Sequence, residues 1–192
     1  MRVRRLLLAA LLVTPAAVFA GGAVTAGTPC TQTGTSGDDV LTGTSGNDVL
    51  CGRGGHDELR GLGGHDVLFG GNGGDFLAGG AGPDELHGGR GSDTLIGGPG
   101  DDLLRGDRGR DDGTGLGGDD LVFGNAGNDR QFDGGAFGHD LVHGGPGDDA
   151  CIATIDGHGD DTAIGGRGED TSFTDPGDER RGFEDERPCF AE

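Results

Sequence analysis

Residues 79–96 read GGAGPDELHGGRGSDTLI. Divided after His87, they become GGAGPDELH and GGRGSDTLI. Gly79, Gly80, Gly82, Asp84 and Leu86 return as Gly88, Gly89, Gly91, Asp93 and Leu95. The repeated residues are those with special backbone freedom, charge or apolar bulk. Carried outward, the nine-residue frame runs unbroken from Gly34 to Phe132. Asp133 and Gly134 interrupt it, two copies follow over 135–152, Ala153–Ile155 intervene, and two more copies fill 156–173. In all fifteen copies the fourth position is glycine and the sixth is aspartate. The eighth is leucine in the first eight copies, Leu41 to Leu104, and then becomes Gly113, Val122, Gln131, Val142, Cys151, Ala163 and Ser172.

Each column has a physical reading. Glycine at positions one, two and four permits backbone angles that side chains resist, so the first six residues are expected to turn tightly. The last three alternate around one apolar side chain, a short strand with its middle residue facing a core. Successive strands then fall on opposite faces, and copies two apart stack into two parallel sheets with the leucines between them. The expected fold is all-β, a parallel β-roll or β-helix solenoid of about fifteen repeats. With strands ~4.8 Å apart, the roll is roughly 35 Å long.

That geometry stacks the aspartates in two files along the roll's edges. Two bare carboxylates at such a spacing repel by about 1 kcal/mol even in water, and by more in a partly dry turn. One leucine per copy is a small core against the entropy of ordering nine residues. A hard divalent cation held by carboxylate and carbonyl oxygens would neutralise the files and add binding energy. Calcium suits such flexible oxygen sites better than magnesium, which keeps its waters. The side-chain candidates are Asp39, Asp48, Asp57, Asp66, Asp75, Asp84, Asp93, Asp102, Asp120, Asp129, Asp140, Asp149, Asp161 and Asp170. Asp111 is a weaker one, because its copy, GDRGRDDGT, carries Arg108 and Arg110 in the turn and Gly113 in the core. The best-supported turn glycines are Gly37, Gly46, Gly55, Gly64, Gly73, Gly82, Gly91 and Gly100.

GGAGPDELH, GGRGSDTLI and GGPGDDLLR fit every specified position of GGxGxDxUx, where U is a large apolar residue. The chain thus resembles the repeats-in-toxin (RTX) family of calcium-binding β-rolls. The resemblance implies calcium between neighbouring turns on each edge, with the matched aspartates as ligands and turn carbonyls completing the shell. Sites between copies two apart would number at most thirteen. An N-terminal signal, unlike the C-terminal export signal of many RTX proteins, looks more like small secreted relatives of high-GC Gram-positive bacteria.

Composition sets the remaining bounds. The chain has 192 residues, 47 of them glycine, and neither tryptophan nor tyrosine. Such a composition suits disorder, but a strict period argues against it, since disorder does not dictate which position holds a leucine. A net charge of −20 repels nucleic acid and anionic membranes and attracts cations. The first twenty residues, MRVRRLLLAALLVTPAAVFA, have the basic start, apolar stretch and small-residue cleavage site of a secretory signal, with a later cut after Ala26 possible. The apolar stretch is too short for a span. A secreted or envelope location is expected.

Cys30, Cys51, Cys151 and Cys189 fit an oxidising compartment and allow three pairings. Cys30–Cys51 with Cys151–Cys189 is favoured because each would clamp one end, and zinc is disfavoured by the absence of CxxC spacing. Residues 21–33 are expected to cap the N-terminal end, and 174–192 the C-terminal end, with Phe183 and Phe190 over the open core. The segments outside the repeats leave no room for a catalytic domain, so no catalytic residue and no enzyme is expected. The functional reading is a secreted calcium-binding protein that folds when it meets extracellular calcium. The alternative is a calcium-stabilised adhesin or matrix protein with a surface or carbohydrate partner. Positions seven and nine, which face outward, look irregular along the sequence and give that alternative no support.

Overall fold

The computed structural model describes residues 29–133, 138–154, 161–174 and 179–182. Strands come at short intervals: β1 Gln32–Thr33, β2 Val40–Thr42, β3 Val49–Gly54, β4 Glu58–Gly63, β5 Val67–Asn72 and β6 Phe76–Ala81. They continue as β7 Glu85–Gly91, β8 Thr94–Pro99, β9 Leu103–Gly109, β10 Asp112–Gly117, β11 Leu121–Ala126 and β12 Arg130–Asp133. The last are β13 Leu141–Pro146, β14 Ala150–Thr154, β15 Thr162–Arg167, β16 Ser172–Thr174 and β17 Glu179–Arg181. Odd strands form one nine-stranded sheet and even strands an eight-stranded one, each in chain order. Every described pairing is parallel, and in the regular part of the roll each residue pairs with the one eighteen places on, as in Leu50↔Leu68 and Leu68↔Leu86. The protein is a parallel β-solenoid of about seven turns, as its period requires. No helix among the described residues is long and apolar enough to cross a membrane.

Leu50, Leu59, Leu68, Leu77, Leu86, Leu95, Leu104, Val122, Val142 and Ala163 form a single buried file between the sheets, with Leu41 packed against its end. Full burial of each leucine contributes roughly 1.5–3 kcal/mol.

The strands differ from expectation in length. Most run six residues rather than three, crossing from positions seven to nine of one copy into positions one to three of the next. Along β3, burial alternates so that Leu50 and Gly52 both face inward. From Gly52 on, the described glycines at position one are therefore strand residues, and their backbones do not adopt positive φ. Positive φ belongs to position four, where Gly73 has 137° and Gly82 has 114°, and to position two, where Gly71 has 117° and Gly80 has 120°. Arg53, Leu62, Asp107, Leu116 and Asn125 hold the same position at 69° to 93°. A side chain there costs about 1–2 kcal/mol, which the stacked neighbours must offset.

Interruptions in the repeat leave the stacking intact. The step lengthens from eighteen residues to twenty at Leu121↔Leu141 and to twenty-one at Leu141↔Thr162. Ala153, expected between copies, lies inside β14 opposite Phe132 and Phe173, past a register shift that begins after Arg130. At the ends, Gln32–Thr33 pairs with β3, and Glu179–Arg181 extends the odd sheet beside β15. The signal segment, Phe183, Phe190 and Cys189 lie outside the described residues, as does the side chain of Cys151. Cys30 and Cys51 form a disulfide with Cα atoms 6.0 Å apart, tying the chain ahead of β1 to β3.

Stacking also sorts the outward residues by face. On the odd sheet, position nine gives the column Phe69, His87, Arg105, Phe123 and His143. Phe69 and His87 stack with centroids 5.0 Å apart, and the Arg105 guanidinium lies 5.2 Å from the Phe123 ring centroid. The rings spend their faces on one another along the roll axis.

Candidate metal centre

The sixth-position aspartates occupy the turns at both edges, as expected. One file runs Asp39, Asp57, Asp75, Asp93, Asp111, Asp129, Asp149, Asp170. The other runs Asp48, Asp66, Asp84, Asp102, Asp120, Asp140, Asp161. Within each file, the backbone N–H of one aspartate donates to Oδ1 of the next, at 2.7–2.9 Å in all thirteen links. Asp84 meets Asp66 and Asp102, and Asp93 belongs to the opposite edge. The backbone carbonyls of the aspartates other than Asp170 accept as well, for instance Asp66 O from Glu85 N–H at 2.9 Å.

Oδ2 is the atom left over. In Asp57, Asp66, Asp75, Asp84, Asp93, Asp102, Asp111, Asp120, Asp129 and Asp149 it is buried without a hydrogen-bond partner. Leaving a buried acceptor unsatisfied costs about 1–3 kcal/mol, more when charged. Burial is the leading cause that raises these groups: Asp102 to about 8, Asp84, Asp111, Asp120 and Asp149 to about 7, and Asp93 to about 6. The backbone hydrogen bond pulls the other way, and neighbouring aspartates push each of them further up. Carboxylates raised this far hold a proton more readily than usual, and a positive charge beside Oδ2 would favour their ionised form.

The glycine at position one explains what the space around Oδ2 is for. A Cβ at Gly70 would sit 2.5 Å from Asp75 Oδ2 and 2.7 Å from the Gly88 carbonyl oxygen. At Gly88 the same atoms are Asp93 Oδ2 at 2.6 Å and Gly106 O at 2.9 Å. Both are closer than real Cβ contacts. Position one is glycine because the carboxylate of its own copy and a carbonyl from the adjoining coil converge there. Backbone freedom, the reason inferred from sequence, applies at positions two and four; space is the reason at position one. At position four the coils themselves approach, and a Cβ on Gly73 would collide with the carbonyl oxygen of Gly55.

The first two copies are built differently. Thr35 donates its N–H and Oγ1 to Asp39 Oδ2 at 2.6 and 2.9 Å, and Thr44 does the same for Asp48 at 2.7 and 2.9 Å. Those bonds, the backbone one foremost, hold Asp48 below the usual carboxylate value. A β-roll turn with Gly-Gly leaves Oδ2 open, whereas a Gly-Thr turn closes it. The identity of position two carries this distinction in the sequence: threonine there closes Oδ2 and glycine does not.

The donor set is hard and oxygen-only. Among the described residues no three of His, Cys, Asp and Glu converge as a metal cluster, so a cation between coils would draw on carboxylates of one file together with carbonyls. That combination fits calcium and offers nothing soft for a transition metal. The histidines have other contacts: Gly74 N–H donates to His56 Nδ1 at 3.0 Å, and His87 Nε2 lies 2.8 Å from Glu85 Oε1.

Fold and turns together define a calcium-type parallel β-roll. A family model described as the RTX calcium-binding nonapeptide repeat matches residues 33–68, 52–86, 69–104, 78–113, 105–130 and 134–153. These matches cover more than half of the chain, which therefore belongs to the RTX calcium-binding repeat family. No curated protein and no solved structure matches it.

Proposed function

We propose that this chain is a secreted, non-enzymatic calcium-binding protein whose roll forms as calcium enters the turns. The observation that carries the reading is the run of ten buried, unpartnered Oδ2 atoms, in turns where glycine lets a carbonyl oxygen of the adjoining coil approach the same point. A cation there would replace the missing partner, cancel repulsion within each file and link consecutive coils. Binding energy then becomes folding energy. In a calcium-poor interior the net charge of −20 would hold the chain open, and millimolar calcium outside would close it. The N-terminal signal pattern and the Cys30–Cys51 disulfide support an oxidising destination.

The test is circular dichroism with titration calorimetry on the chain lacking residues 1–20, chelated and then given calcium. A cooperative gain of β signal with uptake of several ions is expected. Full β signal under chelation, with no ion uptake, would refute the reading.

A further inference from the structure

The copy read as flawed is repaired from an unexpected position. Gly113 leaves a gap in the leucine file of the even sheet, between its register partners Leu95 and Gln131. Gln131 fills it: its Cγ would lie 3.7 Å from a Cβ on Gly113, and the residue is 1% exposed. A leucine would fill the same gap without burying an amide. Yet the Gln131 Oε1 is buried and has no hydrogen-bond partner. An orphaned amide oxygen is costly in a core built for leucine.

Its surroundings indicate a use. Gln131 lines a cavity of about 10 Å³ together with Asp111, Gly106, Gly113, Val122 and Leu104. Asp111 and Gly106 are the sixth and first residues of the flawed copy. The amide lies against position one of its own turn, where the next coil also approaches: a Cβ on Gly124 would be 2.5 Å from Gln131 Nε2, 2.6 Å from Asp129 Oδ2 and 2.7 Å from the Gly144 carbonyl oxygen. Asp111 and Asp129 are consecutive in one file, joined by the 2.9 Å bond from Asp111 N–H to Asp129 Oδ1. Both have unpartnered Oδ2 atoms. Arg108 and Arg110, suspected of blocking this turn, are exposed.

We infer that Gln131 is an additional oxygen donor to the calcium held between Asp111 and Asp129, a ligand from the core column that the nonapeptide pattern does not contain. The inference rests on the proposed calcium binding. A half-turn about the soft terminal torsion of the side chain exchanges Nε2 and Oε1, bringing the amide oxygen to the place beside Gly124 that Nε2 holds. A neutral oxygen raises the coordination number without adding repulsion, which suits a hard ion of variable coordination. Gly113 is then the partner change that gives the longer side chain room.

Calcium titration calorimetry on the chain lacking residues 1–20 tests this with Gln131→Met, which keeps length and volume but removes the amide oxygen. Gln131→Leu, the usual residue of the column, is the second variant. Both should fold with calcium, and both should show one ion lost or weakened by about tenfold or more, the remaining ions unchanged. In the Gln131→Met background, Asp111→Ala should cost only the ion that Asp111 shares with Asp93. Wild-type stoichiometry and affinity in both variants would overturn the inference. A wild-type chain that takes up no calcium would instead overturn the functional reading beneath it.

Discussion

The backbone N–H of Asp66 donates to Oδ1 of Asp84 at 2.8 Å across eighteen residues of chain. Asp84, like the other aspartates with an open Oδ2, thereby does two jobs with two oxygens: Oδ1 fixes the stacking of coils, and Oδ2 is left for a charge. The same link holds where the chain step is twenty residues, at Asp120 and Asp140, and where it is twenty-one, at Asp140 and Asp161. Coil spacing is thus held at the aspartates, and insertions are absorbed elsewhere.

The two jobs separate by mutation. Asp84→Asn keeps an oxygen for the Asp66 N–H and removes the charge, so calcium uptake should fall while the ion-free roll gains stability. Asp84→Ala also strands a buried N–H, which should cost a further ~1–3 kcal/mol in thermal or denaturant unfolding. Equal stability of the two variants would show that Oδ1 is not a structural acceptor.

Acidity should substitute in part for calcium. The folded values of about 6 to 8 for Asp93, Asp84, Asp111, Asp120, Asp149 and Asp102 lie above the ordinary value of 3.8, so the roll binds more protons than the open chain. Stability of the ion-free roll is fully present below the unfolded value and is lost as pH rises through 6 to 8. Calcium must displace those protons, so its apparent affinity should climb over the same window. Circular dichroism of chelated protein should show more β signal at pH 5 than at pH 8.5, and calcium titrations should show the opposite trend in affinity.

Position-one glycines should be intolerant for want of space. Gly70→Ala would push a methyl against Asp75 Oδ2 and the Gly88 carbonyl, and should weaken calcium uptake at that edge by about tenfold or more. Gly117 has nothing within 4 Å of its Cβ position, so Gly117→Ala should leave uptake unchanged. Calorimetry of the two variants side by side checks the contrast.

Reduction should loosen one end. The Cys30–Cys51 bond spans 21 residues of sequence, and cross-links of that size contribute on the order of 3 kcal/mol. Hydrogen exchange of calcium-loaded protein with reductant should speed up around β1 to β3, while Asp84 and Asp102 amides stay protected.

The period made most of this fold legible. Leu86 and Leu95, nine residues apart with glycine turns between, can share a core only from opposite sheets, and Asp84 then meets Asp66 and Asp102 without any coordinates. Less could be read where several residues share one cause. Glycine at positions one and two looks alike in sequence, yet Gly70 is there for space and Gly71 for a φ of 117°. The Thr35 and Thr44 turns likewise conceal a closed Oδ2 behind one substitution.

By itself, then, the sequence determined the solenoid, its two files of acid and its leucine core, because a nine-residue period with fixed glycine and aspartate admits few stacked arrangements. Only the tertiary structure decided which oxygen of each aspartate is spent, which face gathers Phe69, His87, Arg105, Phe123 and His143, and that Gln131 reaches from the core toward Asp111 and Asp129. Those are contacts between residues about eighteen places apart, set by how coils stack and not by the order of residues within any one copy.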